Sequence, residues 1–253
     1  MKTLFFTATG NNLYVAKRIG GDVISIPELV KNGTELIEDD AIGIVCPVYY
    51  GDVPRMVGEF LDKVELKTKY LFFVATYGFN SGAIFLNVTS RLKARGLKVD
   101  YMAKLMMVDN YLPGYDMAEE IEKEDSKQIE EYLNNIVMEI KQKNKNSVKS
   151  SFSERLLNPL EKMASKKAMS PEMAKSYIVN DECIKCGMCA KVCPANNISI
   201  ADRVMFGSKC EVCYACVHNC PKNAIHLTNE KSATRYRNRN IELSEIVNAN
   251  NQI

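Results

Sequence analysis

Short apolar runs alternate with amphipathic stretches along the first 140 residues of the chain. Most of these runs are continuous rather than alternating in polarity, which is typical of strands buried on both faces. The pattern predicts strands at residues 4–6, 23–26, 41–45, 70–76 and 97–108. Because strands alternate with helical stretches over short connections, we expect an α/β fold in which helices cover a parallel sheet.

Helical periodicity occupies the stretches between these strands. It predicts helices at residues 12–19, 54–64, 81–94 and 117–141. Asp52 is the predicted N-cap of the second helix. Gly96 follows the third helix and is expected to end it, because glycine readily adopts the left-handed conformation that is common at helix C-termini.

The pattern changes after residue 141. Residues 141–175 contain nine Lys or Arg and three Glu, a net charge of +6, and they are predicted to form a connector with one docking helix around residues 156–163. Very short strands around cysteine-rich loops are expected at residues 177–227, and a last helix near 241–247. The predicted organisation is an α/β domain (1–141), a basic connector (142–175), a cysteine-rich domain (176–230) and a polar tail (231–253).

Composition narrows the possible functions. The 253 residues are 46% hydrophobic and carry a formal net charge of +2, so wholesale disorder is excluded and nucleic acid is not expected as a partner. No apolar run reaches the length of a membrane span, and residues 1–7 do not form a signal peptide. We therefore expect a cytoplasmic protein, in which clustered cysteines bind metal more often than they form disulfides.

Eight of the nine cysteines lie between Cys183 and Cys220, in two runs with the same spacing. Each run follows the pattern C-x2-C-x2-C-x3-C-P of iron–sulfur proteins. The two-residue gaps let three thiolates converge on one cubane from a tight loop, and the fourth cysteine ligates the other cluster. The sequence therefore predicts two [4Fe-4S] clusters, with cluster I held by Cys183, Cys186, Cys189 and Cys220 and cluster II by Cys210, Cys213, Cys216 and Cys193.

Other roles for the clustered cysteines agree less well with their spacing. Structural zinc usually takes two pairs of ligands separated by a longer loop, and a disulfide framework needs an oxidising compartment. His218 and His226 are expected to face solvent or to pack rather than to bind metal. Cys46 directly follows the predicted strand at 41–45 and precedes Pro47, and a small buried strand residue is its expected role.

Residues 177–227 resemble a two-cluster bacterial-type ferredoxin domain. The resemblance extends past the last cysteine to Pro221, Ala224 and Ile225, where a short apolar pair is expected to close a small hairpin. It implies transfer of electrons to or from a redox partner protein. The basic connector either docks against this domain or presents a solvated lysine face.

A second set of residues follows the first predicted strand. A hydroxyl-rich turn at a helix N-terminus can hold a phosphate group through backbone N–H groups and the helix dipole, and here it comprises Thr7, Ala8, Thr9, Gly10, Asn11 and Asn12. The turn resembles the T-x-T-G-N phosphate loop of flavodoxins. Asn12 stands where many of them have Ser or Thr, which implies an amide contact in place of a hydroxyl contact. An ordinary strand-to-helix turn is the alternative.

Two further loops follow the third and fourth strands, at positions where ligands bind in open α/β sheets. Their tyrosines offer rings for stacking on an isoalloxazine, and their glycines permit close approach of the backbone; the residues are Pro47, Val48, Tyr49, Tyr50, Gly51, Thr76, Tyr77 and Gly78. Tyrosines that merely cap the sheet are the alternative. No G-x-G-x-x-G motif is present, and the three loops together predict bound FMN.

The order of the two parts resembles the flavodoxin–ferredoxin fusion electron-transfer proteins. The resemblance implies a flavodoxin-like five-stranded parallel sheet in the order 2-1-3-4-5, one FMN, two [4Fe-4S] clusters and a redox protein as donor or acceptor. The expected function is a relay of single electrons between the clusters and FMN. The alternatives are an FMN-dependent reductase of a small molecule, fed by its own ferredoxin domain, and an iron–sulfur redox sensor. No acid or base is evident near the flavin loops.

Overall fold

The first half of the chain builds a parallel sheet. The computed structural model describes residues 1–146 and 152–250, and its strands up to residue 106 are β1 (Lys2–Phe5), β2 (Asp22–Ser25), β3 (Leu36–Glu38), β4 (Ala41–Pro47), β5 (Glu65–Lys67), β6 (Tyr70–Tyr77) and β7 (Tyr101–Met106). Within the described residues, five of these strands form one parallel sheet in the order β2-β1-β4-β6-β7. The short strands β3 and β5 pair with each other outside it.

All five predicted strands are present in the sheet. β4 and β6 are buried over almost their whole length, which explains why their sequences are continuously apolar. The fifth strand is shorter than predicted, because residues 97–100 lie in the connection after Gly96, whose φ is +74°. β3 and β5 escape prediction because each has three residues and buries only its middle one.

Helices flank this sheet in the first half of the chain. They are α1 (Asn11–Ile19), α2 (Ile26–Lys31), α3 (Arg55–Lys63), α4 (Ile84–Ala94), α5 (Met117–Glu122) and α6 (Ile129–Lys141). α2 was not predicted: its N-cap is Ser25, whose Oγ accepts a hydrogen bond from the N–H of Glu28, and Pro27 lies in its first turn. This capping signal sits at the end of an apolar strand, which masks it in the sequence.

Two details of the helix prediction are wrong. Asp52 does not cap α3, because the helix begins after Pro54 and the Asp52 carboxylate accepts the N–H of Val53 at 2.8 Å instead. The single helix predicted at residues 117–141 is divided into α5 and α6. A 3-10 turn at Asp125–Lys127 and a left-handed Gln128 (φ +50°) separate them, and α6 packs on β7 and α1.

The second half of the described chain contains short elements. They are α7 (Phe152–Ala168), a 3-10 helix (Pro171–Ser176), β8 (Tyr177–Val179), α8 (Met188–Lys191), β9 (Ile198–Ile200), β10 (Val204–Phe206), α9 (Ala215–His218), β11 (Ile225–Leu227) and α10 (Leu243–Asn250). β9 pairs with β10 and β11 with β8, both antiparallel. Between residues 1 and 146 and between 152 and 250, no helix is both long enough and apolar enough to cross a membrane.

The cysteine-rich region packs directly on the α/β domain. Cys213 and Ala215 belong to the same hydrophobic core as the parallel sheet. The buried Glu211 accepts hydrogen bonds from the N–H of Met56 (3.0 Å) and from Arg55 (2.8 Å), at the start of α3. This contact ties a loop between two cysteines to a helix terminus of the α/β domain.

Helix α7 also lies on the α/β domain rather than on the cysteine-rich region. Its Asn158 exchanges two hydrogen bonds with Asn87 of α4, and its Glu154 lies 3.7 Å from the ammonium of Lys104 on β7. A helix therefore lies within the predicted connector, and the face that it turns toward the α/β domain is polar. The domain boundaries given above stay predictions.

Candidate functional site

A cavity of about 400 Å³ opens at the carboxyl ends of β1, β4, β6 and β7. This volume is in the range of small-molecule sites, and the place agrees with where open α/β sheets bind ligands. We call it the strand-end cavity. Thirteen of the fourteen residues predicted to bind FMN line it: Thr7, Ala8, Thr9, Asn11, Asn12, Pro47, Val48, Tyr49, Tyr50, Gly51, Thr76, Tyr77 and Gly78.

The loop before α1 presents an uncapped helix N-terminus to this cavity. No side chain of the described residues caps the helix. The first hydrogen bond of the helix runs from the N–H of Tyr14 to the carbonyl of Gly10 (2.9 Å), while the Thr7 hydroxyl accepts the N–H of Gly10 at 3.1 Å. The N–H groups of the first turn, at Asn11 and Asn12, therefore remain available to an anion such as a phosphate.

Gly10 is the one predicted residue that does not line the cavity. Its φ is +95°, and a Cβ atom there would lie 3.0 Å from the Cβ of Ile241 and 3.2 Å from that of Asn238. Glycine is therefore required by the tail that covers the loop from behind. The same tail holds the loop through the Tyr236 hydroxyl, which donates to Asn11 Oδ1 at 2.7 Å.

The side chains of this loop are held by the neighbouring strand ends. The Thr76 hydroxyl donates to Asn12 Oδ1 (3.0 Å), and the amide of Asn11 donates to the carbonyl of Val108 (3.2 Å). The hydroxyl of Thr9 accepts from the amide of Asn110 (3.0 Å). These bonds rigidify the loop, and one of them uses the side-chain oxygen of Asn12, the residue for which an amide contact to phosphate was expected.

Tyrosines form one wall of the strand-end cavity. The hydroxyl of Tyr50 donates to that of Tyr111 at 2.7 Å, and burial raises the pKa of Tyr50. The ring of Tyr111 lies 6.1 Å from that of Tyr214, which belongs to the second cysteine run. Tyr50 itself adopts a left-handed conformation (φ +50°) beside Gly51, which turns the chain sharply at the cavity rim.

Two carboxylates line the cavity, contrary to the expectation that no acid or base lies near these loops. Asp109 follows β7, and its Oδ2 would lie 2.0 Å from a Cβ at Gly78, so Gly78 makes room for this side chain. Burial raises the pKa of Asp109, and the N–H of Tyr111 opposes that rise. Glu161 of α7 has a buried Oε2 without a hydrogen-bond partner among the described residues.

Thirteen further residues line the cavity but were not among those predicted to bind FMN. They continue the predicted loop after β6, form the loop after β7 or come from distant segments: Phe79, Asn80, Gly82, Met107, Val108, Asp109, Asn110, Tyr111, Tyr115, Glu161, Met169, Val212 and Tyr214. The polar run Asp109–Tyr111 at the end of a predicted strand carries the same signal as the two loops that were identified. α7 and the second cysteine run carry no such signal, because they reach the cavity only through the tertiary fold.

The eight clustered cysteines surround two separate small cavities. Cys183, Cys186, Cys189 and Cys220 line the first, which we call cage I, and Cys193, Cys210, Cys213 and Cys216 line the second, cage II. The two groups coincide with the crossed sets predicted from the spacing, and their role as cluster ligands stays a prediction. In the part of the chain that the structure describes, no three Cys, His, Asp or Glu side chains lie close enough to share one metal ion; in each cage the sulfurs line the wall of a cavity.

Cage II contains a polar group without a partner. The hydroxyl of Tyr177 is buried and forms no hydrogen bond of ordinary geometry with the described residues; it makes only a weak contact with the Cys210 thiol. Burial raises the pKa of that thiol, and the N–H of Val212 and this weak contact with the Tyr177 hydroxyl oppose the rise. A buried hydroxyl group without a partner, at a cavity lined by cysteines, is consistent with a bound group whose sulfur atoms accept its hydrogen bond, such as an iron–sulfur cluster.

The remaining histidines and cysteine have structural contacts. His218 is buried; its Nε2 lies 2.9 Å from the carbonyl of Asn110, and its Nδ1 accepts the N–H of Tyr236 at 3.1 Å. Nδ1 of His226 lies 2.7 Å from the carboxylate of Glu230. Cys46 is fully buried in β4, and burial raises the pKa of its thiol, which makes it unreactive.

Comparison with protein families identifies part of this region. Residues 176–199, which contain the first cysteine run, match the 4Fe-4S binding domain family. A search of curated proteins finds no match to the chain. The chain therefore contains a ferredoxin-type segment that supports at least one [4Fe-4S] cluster, next to a parallel-sheet α/β domain, and it has the capacity for iron–sulfur electron transfer.

Proposed function

We propose that this protein is an electron-transfer iron–sulfur flavoprotein that relays single electrons between two [4Fe-4S] clusters and FMN. The observation that carries the proposal is the direct contact between the strand-end cavity and cage II. Tyr214 lines both cavities, and its chain neighbour Cys213 is a cage cysteine in the core of the α/β domain. A flavin and a cluster in these places would be separated by little more than one side chain.

Each cage has the number of cysteines that a [4Fe-4S] cluster requires. Each offers four cysteines from the two runs, crossed as in two-cluster ferredoxins. Backbone N–H groups already approach the sulfurs, with Asn197 N–H 3.4 Å from Cys193 Sγ and Ala224 N–H 3.3 Å from Cys220 Sγ. Such hydrogen bonds stabilise the negative charge of a reduced cluster. The second cluster and the ligand sets are parts of the proposal.

The strand-end cavity fits FMN in each of its parts. The uncapped terminus of α1 suits the phosphate, the tyrosines beside it offer faces for a ring, and Gly51 and Gly78 keep the backbone open at its edge. The protein is also proposed to be flavodoxin-like, because its five-stranded sheet places this cavity where flavodoxins bind FMN. Bound FMN would supply a carrier for one or two electrons, and the chain supplies its position.

One observation favours a second function, that of an FMN-dependent reductase of a small molecule. Asp109 and Glu161 line the cavity, and the raised pKa of Asp109 makes it a better proton donor near neutral pH than an exposed carboxyl group. In this case the cavity would admit a small-molecule acceptor beside the ring. The relay remains the better-supported function, because cage II is in contact with the cavity whether or not a substrate binds.

An anaerobic reconstitution tests the proposal. The wild-type chain should take up about eight irons and one FMN, and a redox titration that follows flavin and cluster absorbance separately should order the carriers. Cys193→Ala should reduce the iron content to about half, since one cage loses a ligand, whereas Cys46→Ala, a buried cysteine outside both cages, should leave it unchanged. Stoichiometric zinc without iron, or no FMN binding, contradicts the proposal.

A further inference from the structure

The two cages differ in their exposure to solvent. In cage I, Cys186 is exposed, Cys183 and Cys220 are half-buried, and only Cys189 is buried. In cage II the situation is reversed, because Cys193, Cys213 and Cys216 are buried and Cys210 is half-buried. One cluster would therefore lie at the surface of the protein and the other in its interior.

The buried cage is the one that adjoins the strand-end cavity. Tyr214 lines both spaces, and Val212, next to Cys213 in the chain, lines the strand-end cavity. Cage II thus adjoins the cavity through Tyr214 and through the neighbouring Val212 of the same loop.

Cage I has the opposite surroundings. Among the described residues, none that lines cage I also lines the strand-end cavity. Its rim is open instead: Ile184 has 61% of its surface exposed, and Lys185 and Cys186 beside it are exposed as well. An exposed apolar side chain next to a thiolate cage is a place where another protein can approach a cluster closely.

We propose that electrons follow one route through this protein, which joins a one-electron redox partner protein at the Ile184–Cys186 face to the cluster in cage I, then to the cluster in cage II, and then to the flavin, in either direction. This inference rests on the proposed function and adds an order to it. In each step the donor loses one electron and the acceptor gains it, and no bond or proton changes place between the clusters. The order follows because electron transfer slows steeply with distance.

The test injects electrons at the flavin and asks which cluster receives them. Two matched double variants each remove one cluster: Cys183→Ala with Cys186→Ala empties cage I, and Cys210→Ala with Cys213→Ala empties cage II. Both proteins are reconstituted anaerobically in the full-length chain, and iron and FMN analysis should give about four irons and one FMN each. Light and EDTA as a sacrificial donor then reduce the flavin, and the bleaching of the remaining cluster is timed.

We expect the chain that keeps only cluster II to bleach at nearly the wild-type rate. The chain that keeps only cluster I should bleach more slowly by at least about tenfold, because its cluster is not positioned against the flavin. Equal rates in the two variants would overturn the order while leaving the relay intact. If no electrons pass between the flavin and either cluster, also when dithionite has reduced the clusters first, although both cofactors are bound, the proposed function itself fails.

A second variant tests the order if the buried cage does not tolerate the double substitution. Tyr214→Leu keeps all eight cysteines and removes the ring between cage II and the cavity. Tyr101→Leu is the matched control, since Tyr101 is buried in β7 and lines neither the cavity nor either cage. Tyr214→Leu should slow the exchange of electrons between flavin and clusters with unchanged iron and FMN content, and Tyr101→Leu should not. An equal effect of the two substitutions would also overturn the order.

Discussion

Replacing Tyr177 by phenylalanine removes one buried hydroxyl group and keeps the aromatic ring that packs against Phe206 and Tyr214. In the described chain this hydroxyl has no hydrogen-bond partner, and it lies beside Cys210 in cage II. If a cluster fills the cage, the hydroxyl becomes a donor to its sulfurs. We therefore expect Tyr177→Phe to lower the reduction potential of cluster II.

The size of the shift follows from the charge that reduction adds. A hydrogen bond to a charged group contributes about 1.5–3 kcal/mol, but only the difference between the oxidised and reduced cluster changes the potential. If that difference is about 1 kcal/mol, the potential of a one-electron couple falls by about 40 mV, since 59 mV corresponds to a factor of ten. In the protein without clusters, Tyr177→Phe should raise the free energy of unfolding, because the substitution then removes a buried hydroxyl group that has no hydrogen-bond partner.

The assay is an anaerobic redox titration of the reconstituted protein, with Tyr50→Phe as the matched control. Tyr50 also loses one hydroxyl, but that hydroxyl donates to Tyr111 and lies outside both cages. One cluster potential should fall in Tyr177→Phe and neither should change in Tyr50→Phe. Unchanged potentials in Tyr177→Phe, or the same shift in both variants, would refute the reasoning.

Three further substitutions test the loop, the interface and the cavity. Gly10→Val forces a left-handed conformation that costs about 1–2 kcal/mol in an L-residue and collides with the tail; FMN titration should show strongly weakened binding with unchanged iron content, and wild-type affinity would contradict this account of the loop. Glu211→Gln should lower the free energy of unfolding in urea by about 1–3 kcal/mol, because a buried charge-assisted bond to Arg55 is lost. Its control is Glu59→Gln, which removes an exposed carboxylate 3.9 Å from Arg55 and should change the free energy of unfolding by less than about 0.5 kcal/mol. An equal loss of stability in the two variants would contradict a stabilising role of the buried Arg55–Glu211 hydrogen bond. Burial raises the pKa of Asp109 in the folded protein above its ordinary value of 3.8. The unfolded chain therefore releases the proton at a lower pH than the folded protein does, and the free energy of unfolding falls as the pH rises from 3.8 through the raised pKa. Asp109→Asn abolishes this fall, so its melting temperature relative to wild type should increase over that pH range, and parallel pH profiles would refute the prediction.

The features that sequence analysis predicted are those with a local cause. β4 and β6 are recognisable because a strand buried on both faces must be apolar at every position. The cysteine grouping follows from spacing, since two-residue gaps place three sulfurs around one cage. The strand-end loops were identified because the carboxyl ends of parallel strands converge, and thirteen of their fourteen predicted residues do line one cavity.

The features that were missed depend on residues far apart in the chain. Asn11 meets Tyr236 across 225 positions, and no periodicity or spacing connects such residues. Glu161 reaches the cavity only because α7 turns its polar side inward and leaves Leu156, Leu160 and Met163 exposed. A helix of this kind is assigned the opposite orientation by any rule that buries apolar residues. The break at Gln128 was missed for a related reason, because helical periodicity continues on both sides of it.

The position of the two cages relative to the cavity is fixed by the fold rather than by the connector. A flexible tether raises the effective concentration of one domain near another to the millimolar range but leaves their orientation free. Here buried amides span the junction: Asn219 donates to the carbonyl of Ala8 (3.1 Å), and Asn250 donates to the carbonyls of Thr7 (2.9 Å) and Val192 (3.2 Å). Two of these acceptors belong to the loop that precedes α1. Because breaking such buried bonds leaves unsatisfied groups, the cysteine-rich region is held in one orientation against the same loop that is proposed to bind phosphate, and any movement of either part would disturb both sites together.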